Sequence, residues 1–203
     1  DSESRGLGDV YKRQLKASKI NPDDISCIAT SAIGPCMLPV SYEGDPLMNA
    51  VLYGVDTRAE KEIRELNEEL GEEKILQNCG NALTSQSVGP KILWLKKNCP
   101  EIYKKAHKIL SSTSYLVQKL TGESVIDHYT AANFTPLYDI KNLKWTDALT
   151  KNIIEIERLP KLKWTTEIAG YVSKAASNET GLATGTPVTV GTIDAAAEAI
   201  SVG

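Results

Sequence analysis

The sequence from Thr186 to Gly203, TPVTVGTIDAAAEAISVG, is the stretch that most clearly indicates the fold class. Its β-branched residues 188–190 predict a strand, Gly191 interrupts that run, and the alanine-rich residues 195–200 predict a helix. Asp194 therefore lies where a strand ends and a helix begins. Ligands of α/β proteins bind outside the carboxyl ends of strands, so this turn is the first candidate for a functional site.

Asp194 has two roles open to it at this position. Its carboxylate can accept backbone N–H groups of the first helical turn, as an N-cap residue does. It can also act as a catalytic carboxylate, and the small side chains of residues 195–197 would let a ligand come close. The cap role does not need that clearance, and the residues alone leave both roles open.

The composition is that of a globular domain and excludes several classes of function. The chain has 203 residues, 41% of them apolar, with a formal net charge of −3 and mixed charges throughout, so no nucleic-acid-binding surface is indicated. No run approaches the ~20 apolar residues of a membrane span, and the N-terminus lacks the apolar core of a signal peptide. We therefore expect a cytoplasmic protein without a membrane or nucleic-acid partner.

The cysteines and histidines provide no metal-binding motif. Cys27, Cys36, Cys79 and Cys99 are widely spaced, form no Cys-x-x-Cys pair and have only two histidines to help them. We expect no metal site, and we expect reduced, mostly buried thiols.

A second ligand-facing edge is predicted at residues 33–35. The small and apolar residues 25–33, ISCIATSAI, predict a buried strand that ends at Gly34-Pro35. The loop Ile33-Gly34-Pro35 thus follows a strand directly, as Asp194 does.

We make a separate prediction for each end of the chain. Residues 1–14, DSESRGLGDVYKRQ, show no helix or strand period and no continuity with the residues after them. We interpret them as a foreign lead-in and assign residues 15–203 to one domain. Because the chain stops directly after the candidate site, we expect it to be a fragment of a longer protein.

A helix is predicted after residue 57. Thr57 and Glu60 have the spacing of a capping box, and apolar residues come after them at helical spacing. Asp56 and Arg58 lie at its start. Either Asp56 complements the helix dipole while Arg58 is solvated, or both face a polar ligand.

Four stretches resemble one family in the same order. They are VLYGVDTR (51–58), GPKILWLKKNCPEIYKKAHKIL (89–110), SSTSYLVQKLTGESVIDHYTAAN (111–133) and GLATGTPVTVGTIDAAAEAISVG (181–203). From about Ile20 to Gly203 the chain resembles the N-terminal domain of the FGGY carbohydrate kinases, in particular their xylulokinase-like branch.

The resemblance implies a fold and a catalytic residue. The fold is an α/β domain of the ribonuclease-H-like, actin-like ATPase type, with a mixed sheet and flanking helices, lacking its N-terminal phosphate-loop hairpin and its C-terminal domain. Asp194 would be the general base that takes the proton of a sugar hydroxyl as the terminal phosphoryl group of ATP is transferred. Gly191 and Thr192 would form the phosphate side of the turn, although a lone glycine there also fits a plain strand end.

The resemblance further implies ligands and partners. ATP and Mg²⁺ would be the cofactors, the missing C-terminal domain a partner, and a small sugar, a pentulose such as xylulose, or a polyol the substrate. The fragment by itself is expected to be inactive. Its oligomeric state stays open, with a homodimer as one option.

The chain departs from the family where the sugar would bind. Typical xylulokinases carry Gln-Met-His in the sugar-contacting loop, and this chain carries Ile33-Gly34-Pro35. Gln86 stands where glycerol-kinase-like members place a substrate-facing aromatic side chain. We expect these four residues to shape the sugar pocket. Because such sites discriminate through bonds to sugar hydroxyls, the resemblance does not name the sugar.

Two other classes of function stay open. The changed loop fits a non-catalytic sugar-binding or regulatory module that retains the fold. A dinucleotide-binding dehydrogenase shares the strand–turn–helix with glycine, but the chain has no Gly-x-Gly-x-x-Gly sequence.

Overall fold

The computed structural model describes residues 7–149 and 152–202, with side chains from residue 12 onward, and these residues form short strands and helices. In these ranges the helices are α1 (Leu7–Ser18), α2 (Glu60–Leu70), α3 (Glu72–Cys79), α4 (Val88–Asn98), α5 (Pro100–Lys105), α6 (Ser112–Thr121), α7 (His128–Ala131), α8 (Lys174–Thr180) and α9 (Asp194–Ser201). The strands are β1 (Ser31–Ala32), β2 (Leu38–Val40), β3 (Lys108–Leu110), β4 (Val125–Asp127), β5 (Tyr138–Asp139), β6 (Lys144–Trp145), β7 (Lys161–Lys163), β8 (Ile168–Tyr171), β9 (Pro187–Thr189) and β10 (Thr192–Ile193).

The strand pairing is mixed, as the sequence predicts. Parallel pairs join β1 with β10 and β4 with β7. Antiparallel pairs join β2 with β3, β5 with β6, and β8 with β9. An isolated parallel bridge between Ile28 and Val188 extends the contact of the β1 segment to β9. The predicted strand at residues 25–33 therefore lies beside the predicted strand at residues 188–190.

Two main hydrophobic clusters hold these elements together, and a third, of three buried residues, joins β2 to β3. The larger one includes the buried side chains of Val88, Ile92 and Leu95 on α4. The smaller one joins Val117 of α6 to Val188 of β9. Burial of such side chains removes apolar surface from water, which is the main force that holds the β9–β10 segment in place.

Gly191 interrupts the strand, as predicted, but the chain resumes as a second short strand, which the sequence does not predict. The backbone of Gly191 has φ +69°, and a β-carbon there would overlap the carbonyl oxygen of Thr30. Glycine allows both the left-handed conformation and this close approach. The chain bends at Gly191 and continues as β10, so Asp194 comes directly after β10.

Helix α1 crosses the boundary that the sequence places after residue 14. Residues 7–14 are helical, so the expectation that they lack regular structure is wrong. Leu15 of α1 packs against the smaller hydrophobic cluster and lies beside Gly181, the residue that caps α8. This tertiary contact stabilises a helix whose apolar residues Leu7, Val10, Tyr11 and Leu15 recur at helical spacing. Residues 1–6 lie outside the described residues, and the foreign origin of residues 1–14 stays a prediction.

The predicted capping box at Thr57 and Glu60 is not formed. Helix α2 begins at Glu60, and its N-cap position is occupied by Ala59 without a side-chain cap. Asp56 organises the preceding turn, because its Oδ1 accepts the backbone N–H of Arg58 at 3.1 Å. In the described part of the chain, no helix is both long and apolar enough to cross a membrane.

Candidate active site

The two ligand-facing edges predicted from the sequence meet in the structure. Ser31 pairs with Thr192 and Ala32 pairs with Ile193 in the parallel β1–β10 ladder. Parallel strands end at the same edge of a sheet, so the loop after β1 and the residue after β10 are brought together. That loop is Ile33-Gly34-Pro35 and that residue is Asp194.

Asp194 is the first residue of α9 and is partly buried. The N-cap position belongs to Ile193, so the predicted N-cap role of Asp194 is wrong in this form. Its Oδ1 instead accepts the N–H of the adjacent Ala195 at 2.8 Å. Among the described residues, no donor bonds Oδ2. The helix N-terminus favours a negative charge here, and Oδ2 remains available to a ligand hydroxyl.

The loop beside Asp194 presents mostly apolar surface. Ile33 is 43% exposed, whereas Gly34 and Pro35 are buried. The carbonyl oxygen of Ile33 accepts a hydrogen bond from the Ser112 hydroxyl, and the Cys36 thiol points at it from 3.7 Å. The Ser112 hydroxyl and the Cys36 thiol thus hold the backbone of the loop at Ile33, while the Ile33 side chain is partly exposed to solvent.

Cys36 is a buried residue next to the loop 33–35 and near Asp194, and no sequence motif marks it. The residue is buried, and burial raises the pKa of its thiol, with the nearby Asp194 carboxylate acting in the same direction. The backbone of Tyr53, the Ser112 hydroxyl and the Lys91 ammonium act against that rise. These influences place four further segments around the thiol. No sequence motif marks Cys36 or Ser112, because their role depends on segments distant in the chain.

Lys91 is a buried cation near Cys36. The residue is 1% exposed, its Nζ donates to the carbonyl oxygen of Leu52 at 2.8 Å, and burial lowers its pKa. The bond ties α4 to the segment that carries Asp56. Lys91 therefore anchors the segment before Asp56 to α4 without facing solvent.

Asp56 and Arg58 pair with each other. The carboxylate and guanidinium lie 2.7 Å apart, and the guanidinium sits over the ring of Trp94 at 4.7 Å from its centroid. Hydrogen bonding from Arg58 lowers the pKa of Asp56. Both residues line an open groove of about 590 Å³ with Leu52 and Val55. Arg58 is therefore ion-paired and not simply solvated. The main partner of Asp56 is Arg58 and not the N-terminus of α2.

The predicted phosphate-side residues are engaged within the fold. The hydroxyl of Thr192 donates to Oδ2 of the buried Asp127 at 2.9 Å. The space that a side chain at Gly191 would need is taken by the Thr30 backbone. Gly191 and Thr192 line a groove of about 430 Å³ with Thr30 and Ala197. Their contact with a phosphate stays a prediction.

Gln86 lies in a separate small pocket. This pocket of about 180 Å³ is lined by uncharged polar side chains, among them Asn81, Thr84 and Asn133. Gln86 is exposed, and its backbone N–H donates to Thr84 Oγ1 at 3.2 Å. No bond within the described residues joins Gln86 to Asp194 or to the loop 33–35, so its part in a sugar pocket stays a prediction.

The described residues do not form a metal site by themselves. Within residues 7–149 and 152–202, no group of three or more His, Cys, Asp or Glu side chains is arranged to hold a metal ion. His128, in the 111–133 stretch, forms a hydrogen bond through Nδ1 with the Tyr138 hydroxyl at 2.7 Å. We therefore assign no Mg²⁺ ligand among the described residues.

The chain is similar in sequence and in fold to known carbohydrate kinases. The sequence model of the "FGGY family of carbohydrate kinases, N-terminal domain" matches residues 6–201. The chain is 29% identical over 184 residues to the autoinducer-2 kinase of Klebsiella pneumoniae, a match that covers 89% of this chain and 34% of that one. It is 31% identical over 171 residues to the glycerol kinase of Thermococcus gammatolerans, with 81% and 34% covered. It resembles the crystal structure of xylulose kinase from Rhodospirillum rubrum with a TM-score of 0.87 and 27% identity, over 94% of this chain and 40% of that one.

The structural likeness confirms the predicted fold class, the ribonuclease-H-like, actin-like α/β domain. It also supports the xylulokinase-like branch, since a xylulose kinase is among the neighbours. The chain spans 34% of the length of each of the two sequence relatives.

Proposed function

Because the chain belongs to the FGGY family of carbohydrate kinases, we propose that it is part of an ATP-dependent kinase that phosphorylates a hydroxyl of a small sugar or polyol. One observation carries this proposal. The partly buried carboxylate of Asp194 stands at the carboxyl end of β10, beside the loop that ends β1, with Oδ2 unbonded among the described residues. A carboxylate so placed can receive a proton from a bound hydroxyl.

Asp194 acts as the general base in the proposed reaction. The substrate hydroxyl donates its proton to Oδ2 while its oxygen attacks the terminal phosphorus of ATP. The new O–P bond forms as the bond between that phosphorus and the leaving ADP oxygen breaks. Because the transition state of phosphoryl transfer is loose, little charge is forced onto the attacking oxygen, and a carboxylate can accept its proton late in the reaction. The bond from Ala195 to Oδ1 fixes the carboxylate's orientation.

The loop 33–35 shapes the sugar site through its apolar surface. Ile33 offers a hydrocarbon face, while Gly34 and Pro35 are buried beneath it. Bonds to sugar hydroxyls must therefore come from other groups, and we retain Gln86 as one candidate. We favour a pentulose such as xylulose, because a xylulose kinase is a structural neighbour. Glycerol and autoinducer-2, named for two relatives, are the next substrates to test.

In this proposal, parts of the complete protein outside this chain supply the rest of the catalytic site. The chain matches only 34% of the length of two relatives, and its described residues form no metal site. We propose that ATP and Mg²⁺ are bound largely by a C-terminal domain, and that this 203-residue chain is inactive by itself. A cytoplasmic location and a homodimer stay predictions.

A substrate panel on the complete gene product tests the proposal. Pentuloses, hexuloses, glycerol and autoinducer-2 are supplied with ATP, and ADP release and the phosphorylated product are both measured. We expect one substrate class to be phosphorylated stoichiometrically with ADP. Calorimetric binding of a sugar without phosphorylation would instead support the non-catalytic module. If neither sugar binding nor phosphorylation is detected, both the kinase function and the non-catalytic sugar-binding function are contradicted.

A further inference from the structure

Thr192 has each of its polar groups bonded to a different segment. Its backbone N–H donates to the carbonyl oxygen of Thr30 at 3.3 Å. Its carbonyl oxygen accepts from the Thr113 hydroxyl at 3.0 Å. Its own hydroxyl donates to Oδ2 of Asp127 at 2.9 Å. Thr192 is therefore tied at once to the β1 segment, to α6 and to the end of β4.

All four residues of this network are buried. Thr30, Thr113, Asp127 and Thr192 are each no more than 6% exposed. Hydrogen bonds shielded from water hold their geometry more strictly than surface bonds do, and the loss of one partner leaves the other unsatisfied. Asp127 is itself held, because its Oδ2 also accepts the backbone N–H of Thr130 at 3.1 Å and so caps α7. The anchor for the Thr192 hydroxyl is thus rigid.

The network lies two residues before Asp194. Only Ile193 stands between them, and Ile193 packs directly against Gly34. A displacement of Thr192 would move the start of α9, and with it the carboxylate that the proposed reaction uses. Misplacement of a reacting group by about 1 Å can cost ~100-fold in rate.

We propose that Thr192 is a positioning residue for Asp194, anchored by Asp127 and Thr113. Its hydroxyl faces inward to a carboxylate, so it serves to hold the base in place and not to contact a phosphate. The catalytic consequence rests on the proposed kinase function. The structural consequence, a fixed Asp194, can be measured in this chain without any activity.

The first experiment uses NMR on the 203-residue chain. The backbone amide of Ala195 reports the position of Asp194, because it donates to Oδ1. Thr192→Val removes the hydroxyl, and Thr192→Ser keeps it. Thr180→Val is the matched control, since Thr180 is also buried and its hydroxyl bonds Ala176 in the distant helix α8.

We expect Thr192→Val and Thr180→Val both to lower the melting temperature, and only Thr192→Val to shift or split the Ala195 amide signal. Thr192→Ser should keep the wild-type signal. An unchanged Ala195 signal in a destabilised Thr192→Val chain would overturn the proposal, because the hydroxyl would then be merely structural. If Thr192→Val does not fold, Thr113→Val removes only the bond to the carbonyl and is judged by the same signal.

The second experiment measures turnover in the complete gene product. Thr192→Val should lower kcat by roughly 10- to 100-fold with little change in the KM for ATP, and Thr192→Ser should restore most of it. A rise in KM for ATP with kcat unchanged would contradict positioning and favour a phosphate contact. If the wild-type protein has no kinase activity, the proposed function fails, while the NMR result still decides whether Thr192 fixes Asp194.

Discussion

Gly34 packs directly against Ile193, so closely that a β-carbon at residue 34 would overlap Cγ2 of the isoleucine and lie 2.9 Å from its Cβ. This contact joins the loop after β1 to the residue before Asp194. The two predicted edges of the site are therefore in direct contact, and the position of one depends on the other.

Gly34→Ala should destabilise the chain by about 1–3 kcal/mol, because the added methyl group cannot be accommodated without movement of Ile193. Urea unfolding measures this loss. In the double variant Gly34→Ala/Ile193→Ala, the overlap with Cγ2 is relieved, so the combined loss should be smaller than the sum of the two single losses. Additive losses would show that the two residues do not interact.

Gly191→Ala should cost more than Gly122→Ala. Both glycines have positive φ, +69° and +84°, so both substitutions incur the left-handed penalty of about 1–2 kcal/mol. Only at Gly191 does the new methyl group meet the Thr30 carbonyl, whereas space is open around Gly122. Thermal or urea unfolding of both variants measures the difference. Equal losses would indicate that backbone conformation alone selects glycine at residue 191.

Much of the site's location could be predicted from the sequence. Residues 25–33 and 188–190 carry the apolar patterns of strands, and Asp194 separates a strand from an alanine-rich helix. These are local signals, and the structure brings the two segments together at one sheet edge. Convergence of the loop 33–35 with Asp194 follows from parallel pairing.

The features that the sequence did not predict depend on contacts between distant segments. The bond of Thr192 to Asp127 spans 65 residues, and no local pattern predicts that a threonine hydroxyl will face inward. Helix α1 is an exception, because Leu7, Val10, Tyr11 and Leu15 recur at helical spacing and its packing against α8 and the smaller cluster only adds to that local signal. Strand β10 was missed because a single glycine such as Gly191 gives the same signal whether the strand stops or bends.

Asp56→Asn should lower stability in a pH-dependent way. Hydrogen bonding from Arg58 lowers the pKa of Asp56 below its ordinary value of 3.8, so the ion pair's contribution is fully present above that value and is lost as the pH falls through the lower, folded-state pKa. Because both side chains are partly exposed, we expect only about 0.5–1 kcal/mol. Urea unfolding at neutral pH and at a pH below the folded-state pKa of Asp56 measures the gap in stability between wild type and variant.

In an Arg58→Met background, the same Asp56→Asn substitution should have almost no effect at either pH. A gap that persists without Arg58, or one that widens on acidification, would contradict the assigned cause.

The thiols should react in an order set by their burial. Cys27 is exposed, Cys99 is intermediate, and Cys36 and Cys79 are buried. Burial also raises the pKa of Cys36, and that of Cys79 to about 11, which reduces their thiolate fractions. With a disulfide reagent at neutral pH, the fast phase should belong to Cys27 and should vanish in Cys27→Ser, while the two buried thiols react only on unfolding. Rapid labelling of Cys36 in the native state would contradict its burial near Asp194.

The proposed catalytic role of Asp194 is tested most directly by Asp194→Asn in the complete gene product, assayed for ATP-dependent phosphorylation with the best substrate of the panel. Asparagine keeps the size of the side chain and an oxygen for the Ala195 bond, but it cannot accept the proton. Glu198→Gln, an exposed substitution on the same helix, is the control. We expect Asp194→Asn to fold normally and to lose phosphoryl transfer by at least about 100-fold, while Glu198→Gln retains it. Turnover by Asp194→Asn within a few-fold of wild type would contradict the assignment.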